Sequence, residues 1–246
     1  MSNLYSNLAQ VYEAMYKTFI DYEDEFNLYK QLLQKYNCNS LIEIGCGTGN
    51  LAGNFIKNKF EYTGLDISED MLRIAKKNHP DCSFLQADMQ FFKLPKPSDA
   101  AIITGRTISY LLTNTEVLNC LNAIHDNLNE HGILCFDFID ANKFIPLIGD
   151  KCVIHKAAVE NKNYTRESYW KVNLSHSWAF DWNSIYYEEL QNGKRQKIGE
   201  DNATIRCFTK DDIVLFLTLS GYRLKEMKHR STYAFDTFVV VAEKIN

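Results

Sequence analysis

Glycines 45, 47 and 49, with Glu43 just ahead of them and Asp66 further on, are the residues whose types and spacing point most directly to chemistry. In Leu41-Ile42-Glu43-Ile44-Gly45-Cys46-Gly47-Thr48-Gly49 an apolar run enters a turn that lacks three Cβ atoms, so the backbone can bend sharply and a ligand can approach it closely. Tyr62-Thr63-Gly64-Leu65-Asp66 is a second apolar run, and it ends in a carboxylate able to accept from the two hydroxyls of a ribose. A nucleotide-type cofactor is the expectation. A dinucleotide loop spaces its glycines as G-x-G-x-x-G so that a helix N-terminus faces the pyrophosphate, whereas the spacing here is G-x-G-x-G. Glu43 would oppose a pyrophosphate and suits a cationic amine or sulfonium.

Two further stretches could face the same ligand. Ala87-Asp88-Met89 follows a third apolar run, and Gly105-Arg106-Thr107-Ile108-Ser109-Tyr110-Leu111 follows a fourth. Small residues in the second stretch let backbone come near a reacting group, with Tyr110 and Leu111 as walls. Arg106 either meets a carboxylate or phosphate on a substrate or forms an internal salt bridge. If the chemistry needs a base, His125, His155 and His176 are the candidates.

The elements that must position these residues follow from periodicity. From 40 to 140, short apolar runs alternate with helical stretches, predicting an α/β chain with a Rossmann-like, doubly wound, mostly parallel sheet. Its strands are expected at 41–45, 61–65, 82–86, 99–104 and 133–138. Ser68 is a helix N-cap, Thr113 and Glu116 form a capping box with Gly132 beyond that helix, and Thr209 with Asp212 opens a helix closed by Gly221. Residues 222–230 and 237–243 read as an antiparallel C-terminal hairpin. Between 172 and 182 the large side chains fall on even positions, which is strand period, and Asn192-Gly193 is a hairpin signal. The expected organisation is a helical lid over 1–38, a cofactor domain over 39–150 and 207–246, and an antiparallel β insertion over 151–206 that serves as substrate cap or dimer surface. Tyr12 and Tyr16 lie on the lid, and Trp178 lies on the aromatic face of the insertion.

Composition narrows the class. The chain has 246 residues, 46% apolar and 24% charged, with a net charge of -4. That is long enough for one large domain, and its acidic balance argues against a nucleic-acid partner. Seven cysteines form an odd set without a C-x-x-C pair, so neither a metal site nor a disulfide framework is expected. With no secretory pattern and no apolar run of membrane length, the expectation is a cytoplasmic protein without a membrane partner.

The loop and its acid resemble the class I S-adenosylmethionine (SAM)-dependent methyltransferases, whose E/D-x-G-x-G-x-G motif is matched by Glu43 to Gly49 and whose acid-ended second strand is matched by Asp66. Ala9-Gln10-Val11-Tyr12-Glu13, Ile67-Ser68-Glu69-Asp70-Met71-Leu72, Gln86-Ala87-Asp88-Met89, Ile108-Ser109-Tyr110-Leu111 and the aromatic insertion narrow the resemblance to the amino-sugar N,N-dimethyltransferases and related small-molecule enzymes. That family's Phe/Ser-rich loop reads Gly105-Arg106-Thr107 here. The resemblance implies SAM as cofactor, held by Glu43, Gly45, Cys46, Gly47, Gly49, Asp66, Ile67, Met71, Asp88, Met89 and Gly105. It implies a small-molecule acceptor, most simply an amine, placed by Tyr12, Tyr16, Arg106, Tyr110 and Trp178, with Tyr16, Arg106 and Tyr110 nearest the reaction, no metal, and a homodimer as one assembly. A His-based O-methyltransferase and a SAM-binding protein without turnover are the alternatives.

Overall fold

The computed structural model describes residues 11, 15–18, 20–159, 162–190, 193–232 and 235–245. Seven strands form the main sheet: β1 (Ser40–Ile44), β2 (Glu61–Asp66), β3 (Ser83–Gln86), β4 (Ser98–Ile103), β5 (Leu128–Ile139), β10 (Tyr222–Ser231) and β11 (Asp236–Lys244). Their order is β10-β11-β5-β4-β1-β2-β3. The strands from β3 across to β5 pair in parallel, and β11 and β10 add on antiparallel. The order reverses between β1 and β4, so a crevice opens beyond their C-terminal ends, where open α/β sheets bind ligands.

Alternation along the central strands explains why both faces are covered. Ile42, Ile44, Ile103 and Phe136 join a core with the helices α4 (Asn114–Asp126) and α5 (Lys210–Leu219). Leu41, Ile102 and Cys135 point the other way, against α1 (Tyr22–Lys35) and α2 (Ala52–Lys57). The expected caps are present, with Ser68 on α3 (Glu69–Asn78) and capping boxes at Thr113/Glu116 and Thr209/Asp212, and Asp21 caps α1. β5 starts earlier than expected, at Leu128, so Gly132 lies inside the strand instead of beyond the helix. A Cβ there would meet the Asn129 carbonyl oxygen at 2.9 Å.

A second, antiparallel sheet runs β6 (Val153–Val159), β7 (Lys162–Asn173), β8 (Ala179–Glu189) and β9 (Arg195–Arg206). The strand period expected across 172–182 is interrupted: β7 stops at Asn173, residues 174–178 turn, and β8 begins at Ala179. Trp178 sits in that turn with φ 53° and Leu174 is 93% exposed, so only the later part of the stretch supplies an inner face. That face packs Phe180, Trp182 and Ile205 against Phe144 and Phe235, joining the insertion to the main sheet. Met15 and Tyr16 also pack on this sheet, against Ala157 and Tyr186. Among the described residues no helix is long and apolar enough to cross a membrane.

Candidate active site

A cleft of about 760 Å³ opens where the two sheets meet over the C-terminal ends of β1 and β4. Its floor is the glycine loop. Gly45 and Cys46 donate their N–H groups to the Leu65 carbonyl at 2.7 and 2.9 Å, which ties the loop to β2. The three glycines have different reasons to be glycine. Gly45, at φ 72°, has the Thr107 Cγ2 only 2.5 Å from where a Cβ would stand, so the loop after β4 presses directly on the motif. Gly47, at φ 54°, meets nothing within 4 Å and opens its backbone to the cleft, as Gly105 does at φ 62°. Gly49 does not line the cleft; its position abuts Ala75, His79 and Phe84, so it lets the following backbone pack against α3 and β3.

The acids differ just as sharply. Asp66 receives the Gly47 N–H at 2.8 Å on one oxygen and the Ser68 N–H at 2.8 Å on the other. Each oxygen retains acceptor capacity for a ligand hydroxyl. Burial raises its pKa against the pull of those backbone donors. Glu43 is 3% exposed, receiving the Tyr62 hydroxyl at 2.6 Å and the Thr104 hydroxyl at 3.1 Å. Burial pushes its carboxyl up to about 7 despite both hydrogen bonds. The opposite residue on β2 is Gly64, where a Cβ would stand 2.9 Å from the Tyr62 hydroxyl; glycine there keeps Tyr62 within reach of Glu43. Asp88 accepts from the Gln90 N–H at 2.8 Å, which holds the turn after β3.

Arg106 is itself left-handed, with φ 63°, and begins the 3-10 turn 107–110. Its N–H donates to Asp137 Oδ1 at 2.8 Å, its guanidinium reaches the Thr232 hydroxyl at 3.2 Å, and it lies 5.3 Å from the Phe235 ring centroid. These contacts hold the Arg106 side chain at the wall of the cleft. Asp137, near the C-terminal end of β5, is 4% exposed, and burial pushes it up to about 6 against the lowering effect of Arg106. Opposite, α1 brings Glu25 into the lining, held by Arg230 in a two-pronged ion pair at 2.8 and 2.9 Å. The Tyr16 hydroxyl accepts from Arg166 Nη1 at 3.4 Å.

Of the expected cofactor residues, Glu43, Gly45, Cys46, Gly47, Asp66, Ile67, Met71, Asp88, Met89 and Gly105 all line this cleft, as do Tyr16, Arg106 and Tyr110. Trp178 does not, as it sits in the turn just before β8; Trp182, further along that strand, lines the cleft. Tyr12 lies outside the described residues. None of the six histidines lines the cleft. His125 faces the Ile245 carbonyl at 3.3 Å, and His155 contacts Arg166 at 3.2 Å, where burial and that guanidinium push it down to about 4. Asp137, Glu25, Arg230 and Phe235 were not anticipated. An acid between two phenylalanines, Phe136-Asp137-Phe138, was the one available signal.

The lining carries seven carboxylates, Asp21, Asp24, Glu25, Glu43, Asp66, Asp88 and Asp137, against Arg106 and Arg230. Such a cleft favours a cationic ligand over a phosphorylated one.

Known proteins carry the same plan. Residues 41–132 match the model of a methyltransferase domain. A Geobacillus sp. (strain WCH70) protein, described only as a methyltransferase, is 28% identical over 192 residues, spanning 76% of this chain and 75% of its own length. The dTDP-3-amino-3,4,6-trideoxy-alpha-D-glucopyranose N,N-dimethyltransferase of Streptomyces venezuelae is 32% identical over 96 residues, 39% of this chain and 40% of that one. In fold, the chain is similar to a SAM-bound amino pentose methyltransferase from Micromonospora echinaspora, with a TM-score of 0.80 at 19% identity over 95% of this chain and 96% of the other.

Proposed function

We propose that this chain, a class I SAM-dependent methyltransferase acting on small molecules, delivers the methyl group to the nitrogen of an amine. The observation that carries the amine is the excess of carboxylates in the lining, together with the placement of every histidine outside it. The amino-sugar enzymes among the relatives support the same reading.

Bound SAM supplies an electrophilic methyl carbon on a sulfonium that leaves as a neutral thioether. The residues fit that cosubstrate. Gly47 and Gly105 leave two stretches of backbone open to it, Asp66 keeps lone pairs for the ribose, and Glu43 provides a negative pole at the cationic end. Asp88 and Met89 flank the position left for an adenine. The chain's further task is placement: a displacement at carbon needs proximity and alignment more than a strong acid or base. Tyr16, Tyr110, Trp182 and Phe235 form an aromatic wall that excludes water and turns the acceptor toward the glycine loop.

The experiment has two arms. Thermal unfolding is followed with SAM, S-adenosylhomocysteine and NAD; at about a hundred times its dissociation constant a ligand adds about 2.7 kcal/mol, and only the two adenosyl compounds should do so. Methyl-labelled SAM is then offered with a panel of primary and secondary amines and a matched panel of phenols and alcohols. Label in the amines is expected, and label in the hydroxyl compounds alone would reject the amine.

A further inference from the structure

Asp137 is a buried carboxylate with an unfinished set of partners. One oxygen accepts the Arg106 N–H; the other makes no hydrogen bond among the described residues, and no cation stands within ion-pair distance. The cations nearby are committed to other groups: the Arg106 guanidinium to Thr232 and the Phe235 ring, and Arg230 to Glu25. Tyr29, fully buried on α1, feels the charges of Asp137 and Glu25, yet its hydroxyl also lacks a partner. A carboxylate removed from water with one neutral donor is costly unless a positive charge completes its surroundings. This one opens on the cleft at the end of the strand beside β4, close to the aromatic wall.

We propose that Asp137 is the acceptor-binding residue: its second oxygen receives the ammonium of the incoming amine and takes up its proton. The inference rests on the amine reading above. In that transfer an N–H bond breaks and leaves its electron pair on nitrogen, while an O–H bond forms on Asp137. An ammonium and carboxylate become a neutral amine and a neutral carboxylic acid, and the proton passes to water after the product leaves. Geometry gives the amine a reason to dock here, and burial, which raises the carboxyl to about 6, makes Asp137 a better proton acceptor than an exposed carboxylate. The charged and titratable groups facing Asp137 are Arg106 beyond β4, Glu25 and Tyr29 on α1, and Arg230 on β10; its register partner on β11 is the apolar Val239.

The test uses benzylamine and benzyl alcohol as probes on the complex with S-adenosylhomocysteine, in the unaltered chain and in Asp137→Asn. Asparagine keeps an oxygen for the Arg106 N–H, so a purely structural role predicts no difference. We expect benzylamine to bind the unaltered chain about tenfold tighter than the alcohol, the scale of one charge-assisted hydrogen bond, and Asp137→Asn to erase that preference. Retained affinity for S-adenosylhomocysteine shows that the variant is folded. Equal binding of the two probes by the unaltered chain overturns the proposal without using any variant. With amines that the unaltered chain methylates, Asp137→Asn should lose about a hundredfold in kcat/KM, and the acidic limb of its pH profile should disappear. Unchanged amine turnover in the variant rejects Asp137 while the amine reading stands; methylation of hydroxyl compounds alone rejects the amine reading itself.

Discussion

Glu43 should make cosubstrate affinity depend on pH, because a buried carboxyl held up to about 7 faces a ligand that carries positive charge. Without ligand, its folded-state pKa lies above the ordinary carboxylate value. The folded chain therefore holds this proton more tightly than the unfolded chain. Burial of Glu43 costs nothing below the unfolded value and progressively more as pH rises through 7, up to about 3 kcal/mol. A cation beside it reverses the preference. If bound SAM returns Glu43 to an ordinary carboxylate value, binding releases a proton wherever the free site was protonated. At about pH 5.5 only about one free molecule in thirty has the charged form, so affinity should be about thirtyfold weaker there than at about pH 8. Calorimetry in two buffers of different ionisation enthalpy counts the released proton directly: near one per SAM at about pH 6, and near zero at about pH 8.5. Glu43→Gln cannot titrate and should flatten the dependence. A flat profile in the unaltered chain, or the same slope in Glu43→Gln, would refute the reasoning; the second result would move the effect to Asp66 or Asp137, whose carboxyls are also raised.

Gly45→Ala should destabilise the fold by roughly 2–5 kcal/mol in urea unfolding, combining left-handed strain with the 2.5 Å approach of Thr107. Gly47→Ala, with open space around it, should cost only the strain of about 1–2 kcal/mol but weaken SAM binding; equal losses of stability at the two positions would contradict the distinction drawn between them. Tyr16→Phe removes a hydroxyl turned toward Arg166, which keeps His155 as a second partner, so turnover should fall no more than about threefold while Tyr16→Ala raises the acceptor KM about tenfold or more. A hundredfold loss of kcat in the Phe variant would give that hydroxyl a role in the reaction.

Much of the main sheet was legible because its signals are local. The apolar runs, the caps at Ser68, Thr113 and Thr209, and the glycine turn each specify a few neighbouring residues, and the observed strands lie within a few residues of the expected ones. The insertion exposed the limit of periodicity. Val172, Leu174, His176, Trp178 and Phe180 keep the parity of a strand, yet the chain reverses at 174–178 without a glycine or proline to mark it, and Trp178 itself adopts the left-handed backbone. Parity reports alternation, not whether the pairing partner is the same strand on both sides of a gap. Parity therefore points to Trp178 as a lining residue, whereas Trp182, which has the same parity beyond the turn, is the one that lines the cleft.

The end of the cleft proposed for the acceptor was illegible for a different reason: its pieces are brought together only by the sheet order. Glu25 and Arg230 are 205 positions apart, and Asp137 meets Arg106 because β4 and β5 lie side by side. The same packing shows that the glycine motif is not an independent unit. Thr107 fills the space that Gly45 leaves, Thr104 donates to Glu43, and the left-handed Arg106 hangs its N–H on Asp137. A change in the loop after β4 therefore acts on the proposed cosubstrate side through Gly45 and Glu43 and on the proposed acceptor side through Asp137. Because this loop touches both halves of the cleft through close contacts, it can fix the distance between the two reactants, which is the quantity a methyl transfer requires most.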